Sequence, residues 1–411
     1  MPAQALQCKE CQAEYPLEAR YVCDACFGPL EVAYDFSGLD PEEARRRIQS
    51  GPLDIWRYSD FLPFEQPPRS ALGAGMTPLI RADRLAQRLG VREVWIKNDA
   101  ANPTHSFKDR VVTVAIAKAR ELGYGVVACA STGNLANAVA AHAAAAGLES
   151  YVFIPADLEE QKILATGVYG TKLVAVTGNY DDVNRLCIEL SAERDWAFVN
   201  VNMRPYYSQG SKTLGFEIAE QLGWQLPDRV VCPVASGSLF TKIALGFTEW
   251  LDVGLVEGSL PVMNGAQAAG CNPVAHAFSE GWDVCKPVKP STIAKSLAIG
   301  NPADGPYALE LARQTGGSID CVTDDEIVAG IRLLAETTGI FTETAGGVTT
   351  AVLRKLAERG DISPDERVVA VITGEGLKTL DVVRGTFEMY EIEPSVRDFE
   401  AVVPEPVGAA A

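Results

Sequence analysis

The chain has 411 residues, of which 47% are hydrophobic and 22% are charged, as is typical of a soluble globular protein of about two domains. Its formal net charge of −18 argues against nucleic acid or an anionic membrane as a partner, because both carry the same sign of charge. The sequence shows neither a membrane-spanning apolar run nor a secretion signal, so a cytoplasmic protein is expected.

Two cysteine pairs lie near the N-terminus. The segments CKEC and CDAC place Cys8, Cys11, Cys23 and Cys26 in two C-x2-C pairs that are eleven residues apart. A hairpin between the pairs would bring four thiolates to one metal ion, so the spacing predicts a structural zinc site in a ribbon-like module. The alternative is a metal-free ribbon that is kept for its packing.

From residue 90 onward, short apolar runs alternate with helical patterns. Runs such as EVWIKN, WAFVNVN and RVVAVITG are typical of parallel strands buried on both faces, and helical segments such as NLANAVAAHAAAAG separate them. The pattern predicts an α/β fold with two doubly wound open sheets and a ligand cleft between them. The predicted division is a ribbon module over residues 1–35, a large domain over 36–121 and 205–395, a smaller mobile domain over 122–204, and a tail over 396–411.

One lysine lies between a candidate strand and a candidate helix. In NPTHSFKDR, Lys108 follows Phe107 and leads into the helical run VVTVAIAKAREL. On residue type alone, an ordinary surface lysine is the first interpretation. The positive end of a helix dipole is an unfavourable place for a cation, however, so the position also suits a neutral amine that attacks a carbonyl group.

Three further strand-to-helix junctions carry small or polar residues. ASTGNLANA offers backbone amides and two hydroxyls for a carboxylate, and its Asn134 offers an amide for a phenolic oxygen. PVASGSLFTKI is a small-residue loop whose backbone amides can approach a phosphate group. VVAVITGEGLKT places the hydroxyl of Thr373 at a strand end, where it can hydrogen-bond a ring nitrogen. Each motif alone is equally typical of a capping turn.

Together, the four junctions offer an amine, a phosphate loop, an oxygen partner and a hydroxyl for a ring nitrogen. These are the groups that hold pyridoxal phosphate, so the sequence predicts this cofactor. A nicotinamide oxidoreductase is not supported, because no glycine fingerprint for a dinucleotide is present.

NPTHSFKDR, STGNLANA, PVASGSL and TGEGLKT resemble, in this order, the motifs of the tryptophan-synthase-β-like (fold type II) pyridoxal-phosphate enzymes. The cysteine ribbon, TGNYDDVNR, GSKTLGFEIAEQLGW and GIFTETAGG are similar to segments of the threonine synthase branch of that family. The resemblance implies a homodimeric lyase of threonine biosynthesis with the cofactor in the cleft. It would release phosphate from O-phospho-L-homoserine and add water to give L-threonine.

The resemblance also implies a role for each matching residue. Lys108 would bind the cofactor covalently and act as general base and acid. Asn134 would bond the phenolic oxygen of the cofactor, and Thr373 would face its ring nitrogen. The cofactor phosphate would lie on Ala235, Ser236, Gly237, Ser238 and Leu239, the substrate carboxylate on Ser131 and Thr132, and the substrate phosphate on Asn179, Arg185 and Arg204.

Two departures from the family pattern leave alternatives open. His105 stands where the family usually has glycine, and it could be a substrate contact, a proton relay or a packed neutral side chain. Ala235 and Ser238 stand where many relatives have glycine or asparagine. The alternative activities are β-replacement on phosphoserine, as in a cysteate synthase, and threonine dehydration. A non-enzymatic alternative is a zinc-ribbon binding protein with a degenerate fold.

Overall fold

The computed structural model describes residues 2–66, 68, 72–178 and 180–404. Strands and helices alternate along most of the chain, as the apolar pattern predicts. The strands are β1 (Ala3–Cys8), β2 (Glu14–Tyr15), β3 (Leu30–Tyr34), β4 (Leu79–Arg81), β5 (Glu93–Asn98), β6 (Val126–Ala130), β7 (Glu149–Pro155), β8 (Lys172–Val176), β9 (Ala197–Phe198), β10 (Arg229–Pro233), β11 (Val262–Ala268), β12 (Ile319–Val322) and β13 (Arg367–Ile372).

The helices lie on both sides of the two larger sheets. Short 3-10 helices span Ile55–Phe61, Asp99–Ala101, Lys295–Leu297 and Gly376–Val383. The α-helices are α1 (Pro41–Ser50), α2 (Asp83–Leu89), α3 (Lys108–Glu121), α4 (Asn134–Ala146), α5 (Glu160–Gly167), α6 (Tyr180–Glu193), α7 (Arg204–Gln221), α8 (Ser238–Asp252), α9 (Pro273–Ser279), α10 (Gly305–Gln314), α11 (Asp324–Thr338), α12 (Thr344–Glu358) and α13 (Val396–Val402).

Two open sheets form the body of the protein. The six-stranded sheet has the order β12-β11-β10-β13-β5-β4, and its pairs are parallel except that of β4 with β5. The four-stranded sheet has the order β8-β7-β6-β9 and is parallel throughout. Strand β10 is buried along its whole length, as expected for a strand covered by helices on both faces. The predicted α/β fold with two open sheets is therefore confirmed.

The four-stranded sheet ends in a shorter strand than its sequence suggests. The apolar run WAFVNVN pairs with β6 only at Ala197 and Phe198. The side chain of Asn202 accepts a hydrogen bond from the backbone N–H of Phe198 (2.8 Å) and donates one to the carbonyl oxygen of Trp196 (3.0 Å). These local bonds turn the chain back on itself, so the run cannot continue as a strand.

Helix α7 begins earlier than its sequence pattern suggests. The helical pattern that starts at Ser211 is preceded by seven further helical residues from Arg204. Pro205 fits this start, because a proline in the first turn lacks only an N–H that would have no partner. The helix is buried on nearly every face, so its sequence carries no amphipathic signal that would mark the start.

A buried cluster of charged side chains joins α3 to α7. The guanidinium of Arg110 contacts Asp99 (2.6 Å) and Oε2 of Glu217 (2.7 Å), and Lys97 donates to the same Glu217 oxygen (2.6 Å). All four side chains are fully buried. Burial alone would raise the pKa of Glu217, but the charges of Arg110 and Lys97 outweigh it and lower that pKa to about 2. The cluster fixes the helix that starts at Lys108.

The N-terminal strands form a separate antiparallel sheet in the order β2-β1-β3, which docks on the large sheet's helices. Glu31 of β3 forms an ion pair with Lys242 of α8 at 2.6 Å. The ammonium of Lys9 lies 3.3 Å from the ring centroid of Tyr307 on α10, and the Tyr307 hydroxyl donates to Glu10. The module is therefore held by polar contacts from the residues between its first two cysteines and from β3. Across the described part of the chain, no helix has the length and apolarity to cross a membrane.

Candidate active site

Three of the four motifs follow the carboxyl ends of neighbouring strands in the large sheet, and the fourth follows β6 of the smaller sheet. Strands β10, β13 and β5 are adjacent in the large sheet, and each leads into one of the predicted loops. The backbone N–H of Phe107 donates to the carbonyl oxygen of Thr373 at 2.9 Å, and Ser106 bridges to Gly374. Asn134 comes from the smaller sheet's helix α4. The site therefore combines groups from both sheets, as expected for ligands that bind where strands end and helices begin.

Lys108 is the first residue of α3, and its amine is partly buried. The Nζ atom donates to the Tyr207 hydroxyl at 3.0 Å and lies 4.4 Å from the ring centroid of Phe107. These contacts hold the amine at the site instead of in bulk solvent. Tyr207 was missed by the sequence analysis, because it lies 99 residues further along the chain.

The Asn134 side chain has two charged neighbours that the sequence analysis also missed. Its Nδ2 atom donates to the carboxylate of Glu343, with 3.1 and 3.0 Å to the two oxygens. Its Oδ1 atom accepts from Lys378 Nζ at 2.8 Å. Glu343 is 4% exposed, and burial raises its pKa while the Asn134 hydrogen bond opposes that rise. A Cβ atom at position 374 would lie 2.5 Å from this carboxylate, so only glycine fits there.

Asp109, which follows Lys108, connects the site's two helices. Its buried carboxylate accepts from the backbone N–H and the hydroxyl of Thr104, both at 2.9 Å. It also lies 2.7 Å from Nε2 of His142 on α4. The lysine-bearing loop is thereby fixed to the helix that begins with Asn134.

The candidate phosphate loop runs from Ala235 into α8. Gly237 has a φ of 96°, and a Cβ atom there would lie 2.6 Å from the carbonyl oxygen of Asp304. The backbone of Ser236 accepts from the N–H of Asp304 at 2.8 Å. Leu239 packs into the large sheet's core, so its backbone is the part that can face a ligand. Backbone amides at the start of a fifteen-residue helix suit an anion.

The residues predicted to bind the substrate differ in their burial and in their hydrogen-bond partners. Ser131 is buried and its hydroxyl accepts from the backbone of Ala136 (3.2 Å), whereas Thr132 is partly exposed. Arg204 donates to the buried Asp304 at 2.7 Å, next to the phosphate loop. Arg185 is 71% exposed on α6 and donates to Asp182. Asn179 lies outside the described residues.

His105 has an exposed side chain and a φ of 62°. The interpretation as a packed interior histidine is therefore wrong. Glycine adopts this left-handed conformation more freely than histidine does. The backbone oxygen of His105 accepts from Glu375 at 3.2 Å, so the residue belongs to the turn that links two of the motifs.

The four N-terminal cysteines come together as predicted. Their sulfur atoms all lie within 4.8 Å of one another, and Cys8 and Cys26 are 3.5 Å apart. Sulfurs around a tetrahedral zinc ion are separated by roughly 3.8 Å, so the donor set and its size fit that metal. The hydroxyl of Tyr15 lies 3.1 Å from the Cys23 sulfur and lowers the pKa of that thiol to about 6, which favours the thiolate.

Comparison with known sequences gives matches along nearly the whole chain. A family model described as pyridoxal-phosphate dependent enzyme matches residues 71–374. The threonine synthase of Methanocaldococcus jannaschii is 38% identical over 404 residues, covering 97% of this chain and 99% of that protein. The threonine synthase of Methanosarcina acetivorans is 40% identical over 398 residues, covering 96% of each. The threonine synthase of Mycobacterium leprae is 35% identical and covers 88% of this chain and 95% of that protein.

Solved structures share the fold at lower identity. Threonine deaminase isoform 2 from Solanum lycopersicum superimposes with a TM-score of 0.64 at 21% identity, covering 94% of this chain and 93% of that one. An L-serine ammonia-lyase from Rhizomucor miehei gives 0.64 at 24% identity, covering 76% of this chain and 98% of that one. These likenesses show the fold alone, while the sequence matches show the family. The chain therefore belongs to the pyridoxal-phosphate-dependent enzyme family, within which it groups with the threonine synthases.

Proposed function

We propose that the protein converts O-phospho-L-homoserine and water into L-threonine and inorganic phosphate. The observation that carries this proposal is the partly buried amine of Lys108, held against Tyr207 beside Asn134 and Thr373. An amine in that position can form a covalent link to an aldehyde and then transfer protons. The threonine synthase names of the similar sequences supply the substrate class.

The site residues fit pyridoxal phosphate. Lys108 provides the amine, and Asn134 provides amide hydrogens for the phenolic oxygen. The loop from Ala235 to Leu239 provides backbone amides for the phosphate, in a turn where a Cβ atom at Gly237 would clash with Asp304. Thr373, which is 2% exposed, provides a hydroxyl for the ring nitrogen. When bound, the cofactor would supply an electron sink for carbanion chemistry at the substrate.

The chain's own residues would carry out the proton transfers. Lys108 Nζ would take a proton from the substrate's α-carbon and return protons at later steps, with the Tyr207 hydroxyl at 3.0 Å holding the amine between transfers. A neutral hydroxyl at Thr373 would leave the ring nitrogen unprotonated. The predicted mobile domain, residues 122–204, would close over the substrate and exclude water until the addition step.

The substrate's two anionic groups would bind at different places. Ser131 and Thr132 lie at the loop before α4, where hydroxyls and backbone amides suit the carboxylate. Arg204 and Arg185 would supply positive charge for the phosphate, together with Asn179. Arg204 is already within 2.7 Å of Asp304, so a bound phosphate would share that guanidinium. Local cations are needed here because the protein as a whole carries a net charge of −18.

A product assay tests this activity. The purified protein with bound cofactor is mixed with O-phospho-L-homoserine, and threonine and phosphate are measured together. Equal amounts of both products are expected. Release of 2-oxobutyrate and ammonia from threonine, or consumption of phosphoserine with sulfite, in place of threonine formation would assign the dehydratase or the β-replacement activity instead.

A further inference from the structure

Lys378 connects three of the four motifs. It lies on the 3-10 helix Gly376–Val383, directly after β13 and Thr373. Its Nζ atom donates to Oδ1 of Asn134 at 2.8 Å and to the carbonyl oxygen of Thr104 at 2.6 Å. The first acceptor belongs to the asparagine motif, 244 residues from Lys378 in sequence. The second belongs to the lysine-bearing loop, 274 residues away.

The chemistry of the ammonium group decides how the Asn134 amide is turned. An ammonium group has donors and no acceptor, so the amide atom that faces it must be the oxygen. The amide nitrogen then faces the Glu343 carboxylate, which can only accept while it is ionised. The nearly equal distances to the two carboxylate oxygens indicate that one N–H is shared between them. The second N–H is left to donate to a ligand.

The surroundings of Lys378 make this contact specific. The side chain is partly buried between the two sheets' loops, and burial lowers its pKa while the charge of Glu343 opposes the fall. Thr104 is 5% exposed, so the carbonyl oxygen that Lys378 also contacts lies away from water. A cation held at two points keeps the asparagine oxygen in one place.

We infer that Lys378 is a positioning residue that turns the Asn134 amide so that its free N–H points to the cofactor's phenolic oxygen. The inference rests on the proposed role of Asn134 as the partner of that oxygen. It assigns Lys378 no contact with the cofactor or the substrate.

A double-mutant cycle on cofactor affinity tests the inference. The variants Lys378→Met, Asn134→Ala and the double variant are stripped of cofactor, and their Kd for pyridoxal 5′-phosphate is measured by absorbance titration without substrate. Each single variant is expected to bind about tenfold more weakly, a loss of about 1.4 kcal/mol. The double variant is expected to bind no more weakly than Asn134→Ala, because Lys378 acts through that residue.

Three results would overturn the inference: losses that multiply in the double variant, an unchanged Kd in Lys378→Met, or an unchanged Kd in Asn134→Ala. Lys355→Met is the matched control, because Lys355 is also partly buried and donates to a backbone oxygen (Cys321, 3.1 Å) and a side chain (Glu326, 3.0 Å). It should leave the Kd unchanged. If Lys378→Met does not fold, Lys378→Gln is used in the same cycle. Since no substrate is present, an error in the proposed reaction would appear only in the product assay.

Discussion

Arg110 and Glu217 form an ion pair from which water is excluded, with 2.7 Å between Nη2 and Oε2 and no exposed surface on either side chain. The pair joins α3, which begins with Lys108, to α7, which carries Tyr207. The amine and the hydroxyl that it contacts are thus held by the same buried charges.

Replacing Glu217 by alanine should lower the free energy of unfolding by about 3–5 kcal/mol, because it leaves Lys97 and part of Arg110 without a counter-charge in the interior. Urea unfolding measures the loss. Arg332→Ala is the control: it breaks an exposed pair with Glu336 and should change stability by less than about 1 kcal/mol. Similar losses in the two variants would mean that the buried cluster stabilises the fold no more than an exposed ion pair does.

Lys108→Ala should remove covalent attachment of the cofactor and reduce turnover by at least about a thousandfold, as expected when the nucleophile and general base are both lost. The cofactor added to this variant should show the absorbance of the free aldehyde. Substantial remaining turnover would contradict the assignment of Lys108.

Gly237→Ala should weaken cofactor binding, because its left-handed backbone and the nearby Asp304 oxygen leave no space for a methyl group. A loss of tenfold or more, about 1.4 kcal/mol, is expected in the Kd for pyridoxal phosphate. Gly258 has a φ of 108° with open space around it, so Gly258→Ala carries the backbone strain without the clash. That control should lose stability of about 1–2 kcal/mol and keep its cofactor affinity.

The cofactor-free protein should show a pH-dependent effect of Glu343→Gln. Burial raises the pKa of Glu343 above its ordinary value of 4.5, so the folded state disfavours the ionised form. In the parent protein, Glu343 contributes fully to the free energy of unfolding below the pKa that it has in the unfolded chain. This contribution is lost as the pH rises through its pKa in the folded protein. The glutamine variant has no such loss. Its stability relative to the parent, measured by urea unfolding, should therefore rise as the pH increases above the ordinary value of 4.5; a constant or falling difference would contradict the raised pKa.

Zinc binding by the ribbon should depend on each of its four cysteines. The parent protein is expected to carry about one zinc ion per chain, and Cys11→Ser should lose most of it, because three thiolates no longer complete the tetrahedron. Atomic emission measures the metal content. Cys285→Ser changes a cysteine outside the ribbon and should keep the zinc. A parent protein without zinc after growth with the metal would support the metal-free ribbon.

The strands, the two sheets and the cysteine cluster could be predicted because their signals are local. Apolar runs such as RVVAVITG mark buried parallel strands, and two C-x2-C pairs can be recognised from their spacing. The roles of Tyr207, Glu343 and Lys378 could not be predicted this way. Their contacts with Lys108 and Asn134 span 99, 209 and 244 residues, and no local pattern encodes such distances.

The beginning of α7 was also beyond sequence reasoning, for a different reason. A helix that is buried on nearly every face, with polar residues such as Lys212 and Glu217 inside as well, has no alternation of apolar and polar faces, so the usual periodicity disappears. The buried ion pairs of Lys97 and Arg110 could not be predicted from the sequence either. In the sequence both residues are ordinary cations, and only the fold brings them together with Asp99 and Glu217 away from water.

The ribbon contacts a residue that is synthesised much later than the ribbon itself. Glu10 meets Tyr307, which the ribosome adds 297 residues later. At roughly 5–20 residues per second, the emerging ribbon waits about 15–60 s for this contact. During that interval a metal ion captured by the nascent thiolates, and not the finished body of the enzyme, would keep the hairpin folded. Metal supply to translating ribosomes would then influence how much mature enzyme a cell obtains.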